Sequence, residues 1–283
     1  MAGYSILIYP SIRLSVLSIS LITYIPRLKH TLVLIRHGES TWNQENKFTG
    51  WYDCPLSAKG QGEASAGGKI MAEENFKFSG ALTSTLKRAN QTLDIALSAL
   101  GQYDIPVQRA WELNERHYGA LQGLDKQETV NKYGIEQVNI WRRSYDVPPP
   151  ECDLDSPHYP ANDPKYAFLS KELCPRTESL KTTLERVVPF WTNSIAPRIL
   201  KGEKLIIAAH GNSLRALVKY LDNIPENVIT ELNIPTAVPL VYELDDNLKP
   251  ILHQLSYAPL SGRYLGDQEE IKNRIEGVKN QTK

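Results

Sequence analysis

The sequence predicts one α/β domain in which a mostly parallel central sheet carries helices on both faces. Three observations predict it. Leu32-Val33-Leu34-Ile35 and Leu205-Ile206-Ile207-Ala208-Ala209 are short uninterrupted apolar runs, the pattern of strands buried on both faces. Each is followed closely by His-Gly, a turn signal, at 37–38 and at 210–211. Between and after these runs, strand-length segments alternate with helix-length periodic ones, which is the order that builds a layered sheet.

In chain order, residues 31–36 form the first strand. Ser57 is the N-cap of a helix running to about residue 74, weakened by Gly60, Gly62, Gly67 and Gly68. Residues 80–83 form a short strand, and a helix follows from Thr85 to about Leu100, stopped by Gly101. Residues 111–175 are largely irregular, with a helical piece over 126–145 and the run Pro148-Pro149-Pro150; so long a loop in a domain usually serves function. Thr177 and Glu178 open a helix through Ile195 that Pro189 should kink. A strand at 205–209, a helix at 213–221 and a strand at 240–244 complete the sheet. The tail from about residue 266 is charged and helical, with mobile final residues.

Composition narrows the function. Lys+Arg and Asp+Glu number 32 each among 283 residues, so no global field points to nucleic acid or a membrane surface. Three scattered cysteines, an odd number, argue against a disulfide framework and for a reducing compartment, which we take as the cytoplasm. Residues 1–28 differ from the rest: they are apolar and Ser-rich, interrupted by Pro10 and Arg13, and no acid precedes Glu39. They read as a targeting segment or, the version we favour, as sequence upstream of a true start at Leu28, with the catalytic domain at 29–283. Organellar import or membrane association would follow only if that segment is real. A peptide of the native protein containing Ile22 would refute the alternative start.

Ligands of open α/β sheets bind outside the carboxyl ends of the strands. His37 and His210 therefore sit where a ligand would meet them. A lone histidine after an apolar strand is more often structural; two of them, with Arg36 beside the first, point instead to phosphoryl handling. A zinc site needs three or four ligands at close spacings, and no His-x-x-x-His or Cys-x-x-Cys occurs, so metal is the weaker reading. Arg88, one turn into a helix that follows Thr83-Ser84-Thr85, fits an anion site at a helix N-terminus. Glu112 to Gly119 places acids and bases in a loop, and Arg142-Arg143 fits a bidentate clamp on a second anion.

Arg36-His37-Gly38-Glu39-Ser40-Thr41-Trp42-Asn43, Phe48-Thr49-Gly50-Trp51, Leu86-Lys87-Arg88-Ala89, Asn114-Glu115-Arg116-His117-Tyr118-Gly119, Trp141-Arg142-Arg143-Ser144-Tyr145-Asp146 and Ala209-His210-Gly211-Asn212-Ser213-Leu214-Arg215 together resemble the 2,3-bisphosphoglycerate-dependent phosphoglycerate mutases of the histidine phosphatase superfamily. Arg-His-Gly carries only the superfamily; the segments around Glu115 and Arg142 are the specific ones. The resemblance implies interconversion of 3-phosphoglycerate and 2-phosphoglycerate in glycolysis and gluconeogenesis, primed by 2,3-bisphosphoglycerate, without metal, in a homodimer or homotetramer. It implies that His37 is the nucleophile, that Arg36, Arg88 and His210 stabilise the transferring phosphoryl group, and that Glu115 is the general acid and base. Asn43, Ser40, Gly211 and Asn212 would complete that pocket. Thr49, Gly50, Tyr118, Lys126, Arg116, Arg142 and Arg143 would hold the rest of the substrate.

Two departures stand out. Ala237 occupies a position where the family usually has glycine, and the tail ends Asn280-Gln281-Thr282-Lys283. Rival readings are a bisphosphoglycerate phosphatase, a broad phosphatase and a non-catalytic binding protein on the same scaffold.

Overall fold

The computed structural model describes residues 29–279, so the expectations about residues 1–28 and the last four residues lie outside it. In chain order the elements are β1 (His30–Arg36), α1 (Thr41–Gln44), α2 (Ala58–Glu73), β2 (Gly80–Thr83), α3 (Lys87–Leu100), β3 (Val107–Arg109), α4 (Lys126–Tyr133), α5 (Ile135–Arg143), α6 (Leu180–Phe190), α7 (Ala196–Leu200), β4 (Leu205–Ala209), α8 (Gly211–Leu221), α9 (Glu226–Ile229), β5 (Leu240–Leu244), β6 (Arg263–Tyr264) and α10 (Gln268–Lys279). The six strands form one sheet in the order β3-β2-β4-β1-β5-β6. β3, β2, β4 and β1 run parallel, with Leu32 opposite Leu205 and Arg36 opposite Ala209; β5 and β6 are antiparallel. Among the described residues no helix is long and apolar enough to cross a membrane.

The continuous apolar runs are explained by burial on both faces. Leu32, Leu34, Leu205 and Ile207 pack with Leu180, Val187 and Phe190 of α6 and Leu214 and Leu217 of α8. The alternate residues Val33, Ile35, Ile206 and Ala208 pack on the other face with Met71 of α2 and Leu93, Ala96 and Leu97 of α3. Gly68 of α2 has a packing role: a Cβ there would stand 2.3 Å from the Ala96 carbonyl of α3, so the lack of a side chain lets the two helices meet. The cysteines Cys54, Cys152 and Cys174 are buried and unpaired.

Several boundaries differ from the sequence reading. α3 starts at Lys87 because Leu86 is still extended at the cap. The helical piece over 126–145 is two helices, broken at Gly134 with φ +82° and ending at Arg143. The helix expected from Thr177 begins at Leu180: Ser179 caps it, Thr177 donates to the Pro149 carbonyl, and Glu178 is drawn inward. Pro189 lacks the N–H that an α-helix needs there, and a π-helical turn over Trp191–Ile195 follows before α7. α8 starts at Gly211, two residues earlier than expected. The tail forms α10, with Ile271 and Ile275 in the core and Arg274 ion-paired to Glu63.

Ala237 stands at a point where the backbone disfavours a side chain. Its φ is +51°, a left-handed conformation that disfavours a Cβ, and its N–H donates to the Arg36 carbonyl at 2.8 Å. Ala237→Gly should raise stability by about 1 kcal/mol, or roughly 2–4 °C in Tm for a domain of this size. Thermal unfolding followed by circular dichroism checks it; an unchanged or lower Tm would show that the left-handed backbone carries no such penalty.

Candidate active site

The parallel neighbours β2, β4 and β1 end side by side, which is what brings the chemistry together. Arg36 closes β1 and His37 follows it; His210 follows β4 and caps α8; Ser84 and Thr85 follow β2 and lead to Arg88 in the first turn of α3. Two helix N-termini thus face one edge of the sheet with positive dipole ends.

His37 and His210 lie with ring centroids 5.0 Å apart. His37 Nδ1 is 2.7 Å from the Gly38 carbonyl, which fixes the proton on that nitrogen and leaves the Nε2 lone pair for attack. This supplies the ring partner that sequence alone does not name. Arg88 Nε points at Nε2 from 3.3 Å, while its NH1 and NH2 donate to the carbonyls of Tyr52 and Gly50, so the guanidinium is locked in place. His210 Nε2 pairs with Ser84 Oγ at 2.7 Å, and its Nδ1 is buried without a protein partner. Burial, then the positive charges of Arg88 and Arg36, holds the His37 pKa well below its ordinary value; burial and Arg88 do the same for His210. Both rings are neutral at physiological pH, as a nucleophilic imidazole must be.

Glu115 is carried on the loop after β3. Its Oε1 accepts from the backbone N–H groups of Arg116 and Asn212 at 2.8 and 3.0 Å, leaving Oε2 on the side of Gly211. Arg36 NH1 donates to the Ile234 carbonyl at 2.7 Å, and its Nε is buried and unpartnered. Thr49 Oγ1 and Arg116 Nε are likewise buried without partners. Of these, Arg36 and Thr49 line one cavity, where a ligand with many acceptors would complete them, and Arg116 stands behind it.

The cavity, about 100 Å³, is lined by Arg36, Lys47, Arg88, Lys126, Arg142, Arg143 and Arg215, against a single acid, Glu115. Asn43, Thr49, Gly50, Tyr118, Gly211 and Asn212 also line it. The cations strain each other's charge. Burial, then Arg142 and Arg36, lowers Lys126 to about 7; burial with neighbouring cations lowers Arg142 to about 10 and Arg215 to about 9. His37, Glu115 and His210 offer donor atoms within 4.8 Å of one another, a grouping a metal ion could use by atom type. The guanidinium groups of Arg36 and Arg88 beside those same rings oppose a dication and favour an anion.

Two of the residues singled out from sequence, Ser40 and Arg116, do not line the cavity. Ser40 caps α1, its Oγ and N–H both engaged with Asn43. Arg116 lies behind Tyr118, its guanidinium 4.5 Å from the ring centroid, and donates to the Arg142 carbonyl. Arg143 reaches the cavity tethered to Asn233 Oδ1 at 3.0 Å. Sequence reasoning did not assign Lys47, Arg215 or Ser84. Arg215 stands in the quoted motif one turn beyond His210, on the same helix face as Asn212, whose Oδ1 it holds at 3.1 Å; that spacing was the available signal. Lys47 and Ser84 carry no signal beyond lying near the motifs.

The family model of the histidine phosphatase superfamily (branch 1) matches residues 32–254. Solved structures share the fold. YhfR of Bacillus stearothermophilus is 23% identical, with a TM-score of 0.60, over 82% of this chain and 96% of that one. A mycobacterial glucosyl-3-phosphoglycerate phosphatase complexed with VO3 is 21% identical, with a TM-score of 0.58, over 75% and 92%. A protein described as mycobacterial hydrolase 1 is 19% identical, with a TM-score of 0.59, over 79% and 96%.

Proposed function

Because the chain belongs to the histidine phosphatase superfamily (branch 1), whose members move phosphoryl groups through a phosphohistidine, we propose that it is a 2,3-bisphosphoglycerate-dependent phosphoglycerate mutase. One observation carries this reading beyond the superfamily. Seven cationic side chains and one acid line the cavity, more positive charge than one transferring phosphoryl group requires. Arg36 and Arg88 serve that group; Lys47, Lys126, Arg142, Arg143 and Arg215 add positive charge to the same cavity that suits the further anionic groups of a phosphorylated carboxylic acid.

In the first half-reaction the phosphoryl group on primed His37 passes to the free hydroxyl of 3-phosphoglycerate: the bond to Nε2 breaks as a phosphorus–oxygen bond forms, and the hydroxyl proton goes to Glu115. In the second half the other phosphorus–oxygen bond of the bound 2,3-bisphosphoglycerate breaks as a bond forms again to His37 Nε2. The leaving oxygen keeps the electron pair, takes the proton back from Glu115, and becomes the free hydroxyl of 2-phosphoglycerate. Guanidinium and imidazole donors stabilise charge on the equatorial oxygens, the main catalytic work in phosphoryl transfer. 2,3-Bisphosphoglycerate primes the enzyme by phosphorylating His37.

The test is conversion of 3-phosphoglycerate to 2-phosphoglycerate in excess EDTA, with and without trace 2,3-bisphosphoglycerate. Turnover that persists in EDTA and rises with the primer is the expected result. The likeness to a glucosyl-3-phosphoglycerate phosphatase favours a second reading, a phosphatase in which water accepts the phosphoryl group; release of free phosphate without 2-phosphoglycerate would establish it. The position of Lys126 adds a pH signature. Its ammonium is charged below about pH 7 and neutral above, so kcat/KM for an anionic substrate should fall as pH rises through 7. Lys126→Met should give a lower, flatter profile over that range; an unchanged descending limb would remove Lys126 from substrate binding.

A further inference from the structure

We infer that Arg186 and Glu178, which do not line the cavity, are positioning residues that hold Glu115 in register with the leaving oxygen. The inference rests on the reading of Glu115 as the group that gives that oxygen its proton.

Arg186 lies on α6 and Glu178 just before it, eight residues apart and both buried. All five N–H groups of the guanidinium are used. Nε donates to Glu178 Oε1 at 2.7 Å, and NH2 donates to Glu178 Oε2 at 2.9 Å and to the Glu115 carbonyl at 2.9 Å. NH1 donates to the carbonyls of Glu112 at 2.6 Å and Asn114 at 3.0 Å. Glu178 Oε2 also accepts the His117 backbone N–H at 2.8 Å. One ion pair thus grips the main chain of the catalytic loop at four residues, on either side of Glu115 and at Glu115 itself. Trp51 Nε1 adds a bond to the Glu115 carbonyl at 2.6 Å, and the Arg186 guanidinium lies 5.7 Å over the Trp51 ring.

The need for such a grip follows from the segment. It is a loop between two three-residue 3-10 turns, at Trp111–Leu113 and Gly119–Leu121, so no α-helix or strand ladder fixes Glu115. A planar fork with five donors can bind several carbonyls at fixed angles; a lysine ammonium cannot. General acid catalysis fails steeply when the acid is displaced, since a misplacement of about 1 Å can lower a rate by about 10²-fold. The nucleophile His37 and the phosphoryl donors Arg36 and Arg88 are held by other contacts, to Gly38, Ile234, Gly50 and Tyr52. Loss of the pair should therefore affect proton transfer and spare transfer to His37.

Two substrate types separate these steps. Glycerol phosphate, and the 2,3-bisphosphoglycerate formed from 3-phosphoglycerate, expel an alkoxide that needs a proton; p-nitrophenyl phosphate expels nitrophenolate, a stable anion that needs none. The variants are Arg186→Lys, which keeps a cation opposite Glu178, and the double variant Arg186→Met with Glu178→Gln, which leaves no buried charge uncompensated. Both should lose about 10²-fold in kcat on the alkyl esters while retaining turnover of p-nitrophenyl phosphate, which also reports that they are folded. Adding Glu115→Gln to either should cause no further loss on the alkyl esters. Equal losses on both substrate types would overturn the inference, because the pair would then support the fold alone. Full alkyl-ester activity in both variants would overturn it too. If Glu115→Gln by itself spares the alkyl esters, the reading of Glu115 fails and the inference falls with it.

Discussion

His37→Ala is expected to lower phosphoryl transfer by at least about 10⁴-fold, in line with removal of a covalent nucleophile, and to abolish any phosphoenzyme. The size follows from the geometry. His37 Nε2 is the ring atom left without a proton, it accepts from Arg88 Nε at 3.3 Å beside His210, and no cysteine lines the cavity to take its place. His210 is no substitute, because its Nε2 is committed to Ser84 Oγ. The substitution removes a buried polar ring without breaking the Arg88 anchors on Gly50 and Tyr52, so the fold should persist. Rapid-quench assays of wild type and variant measure the effect; residual turnover within tenfold of wild type would mean that the phosphoryl group travels by another route.

The second large effect is expected at Arg88. Arg88→Lys should reduce kcat by about 10³-fold, the lower end of what a transition-state arginine supplies in phosphoryl transfer. Its charge is not the decisive property. Arg88 is fully buried and uses Nε on His37 while NH1 and NH2 reach two backbone carbonyls; an ammonium cannot make all three contacts from one position. The Gly50 end of this anchor is itself constrained, because Gly50 has φ +55° and a Cβ there would meet Gln122 Oε1. Steady-state kinetics on the same phosphoester gives the answer, and a Lys variant within tenfold of wild type would show that charge alone suffices.

The legibility of the site in the sequence follows from how each part is built. Strand ends are readable because a strand buried on both faces leaves an unbroken apolar run, and whatever follows it sits at the sheet edge; this places His37 and His210 without any structure. Arg88 is readable for a similar reason, as an arginine in the first turn of a helix after a strand. Ser40 reads as a ligand because it neighbours His37, but a Ser followed three residues later by Asn43 is also a capping box, and the cap prevails. The helix start at Leu180 rather than Thr177 and the role of Arg186 share one cause. Glu178 is drawn from the helix end to the loop by His117, 61 positions away, and Arg186 reaches loop carbonyls 71 to 74 positions away; no local pattern records such partners. Ala237 is the reverse case: the position is legible from sequence as unusual, while its left-handed φ is visible only in the fold.

The central claim is that a phosphoryl group resides on His37 during turnover. The most direct measurement is alkaline-quench peptide mapping after brief mixing of the enzyme with 2,3-bisphosphoglycerate, conditions that preserve phosphohistidine. The account requires one acid-labile phosphoryl group on the peptide that contains His37, lost on addition of 3-phosphoglycerate. A phosphoryl group on His210 or any other residue, or product formation with no label on the protein at any time, would contradict it.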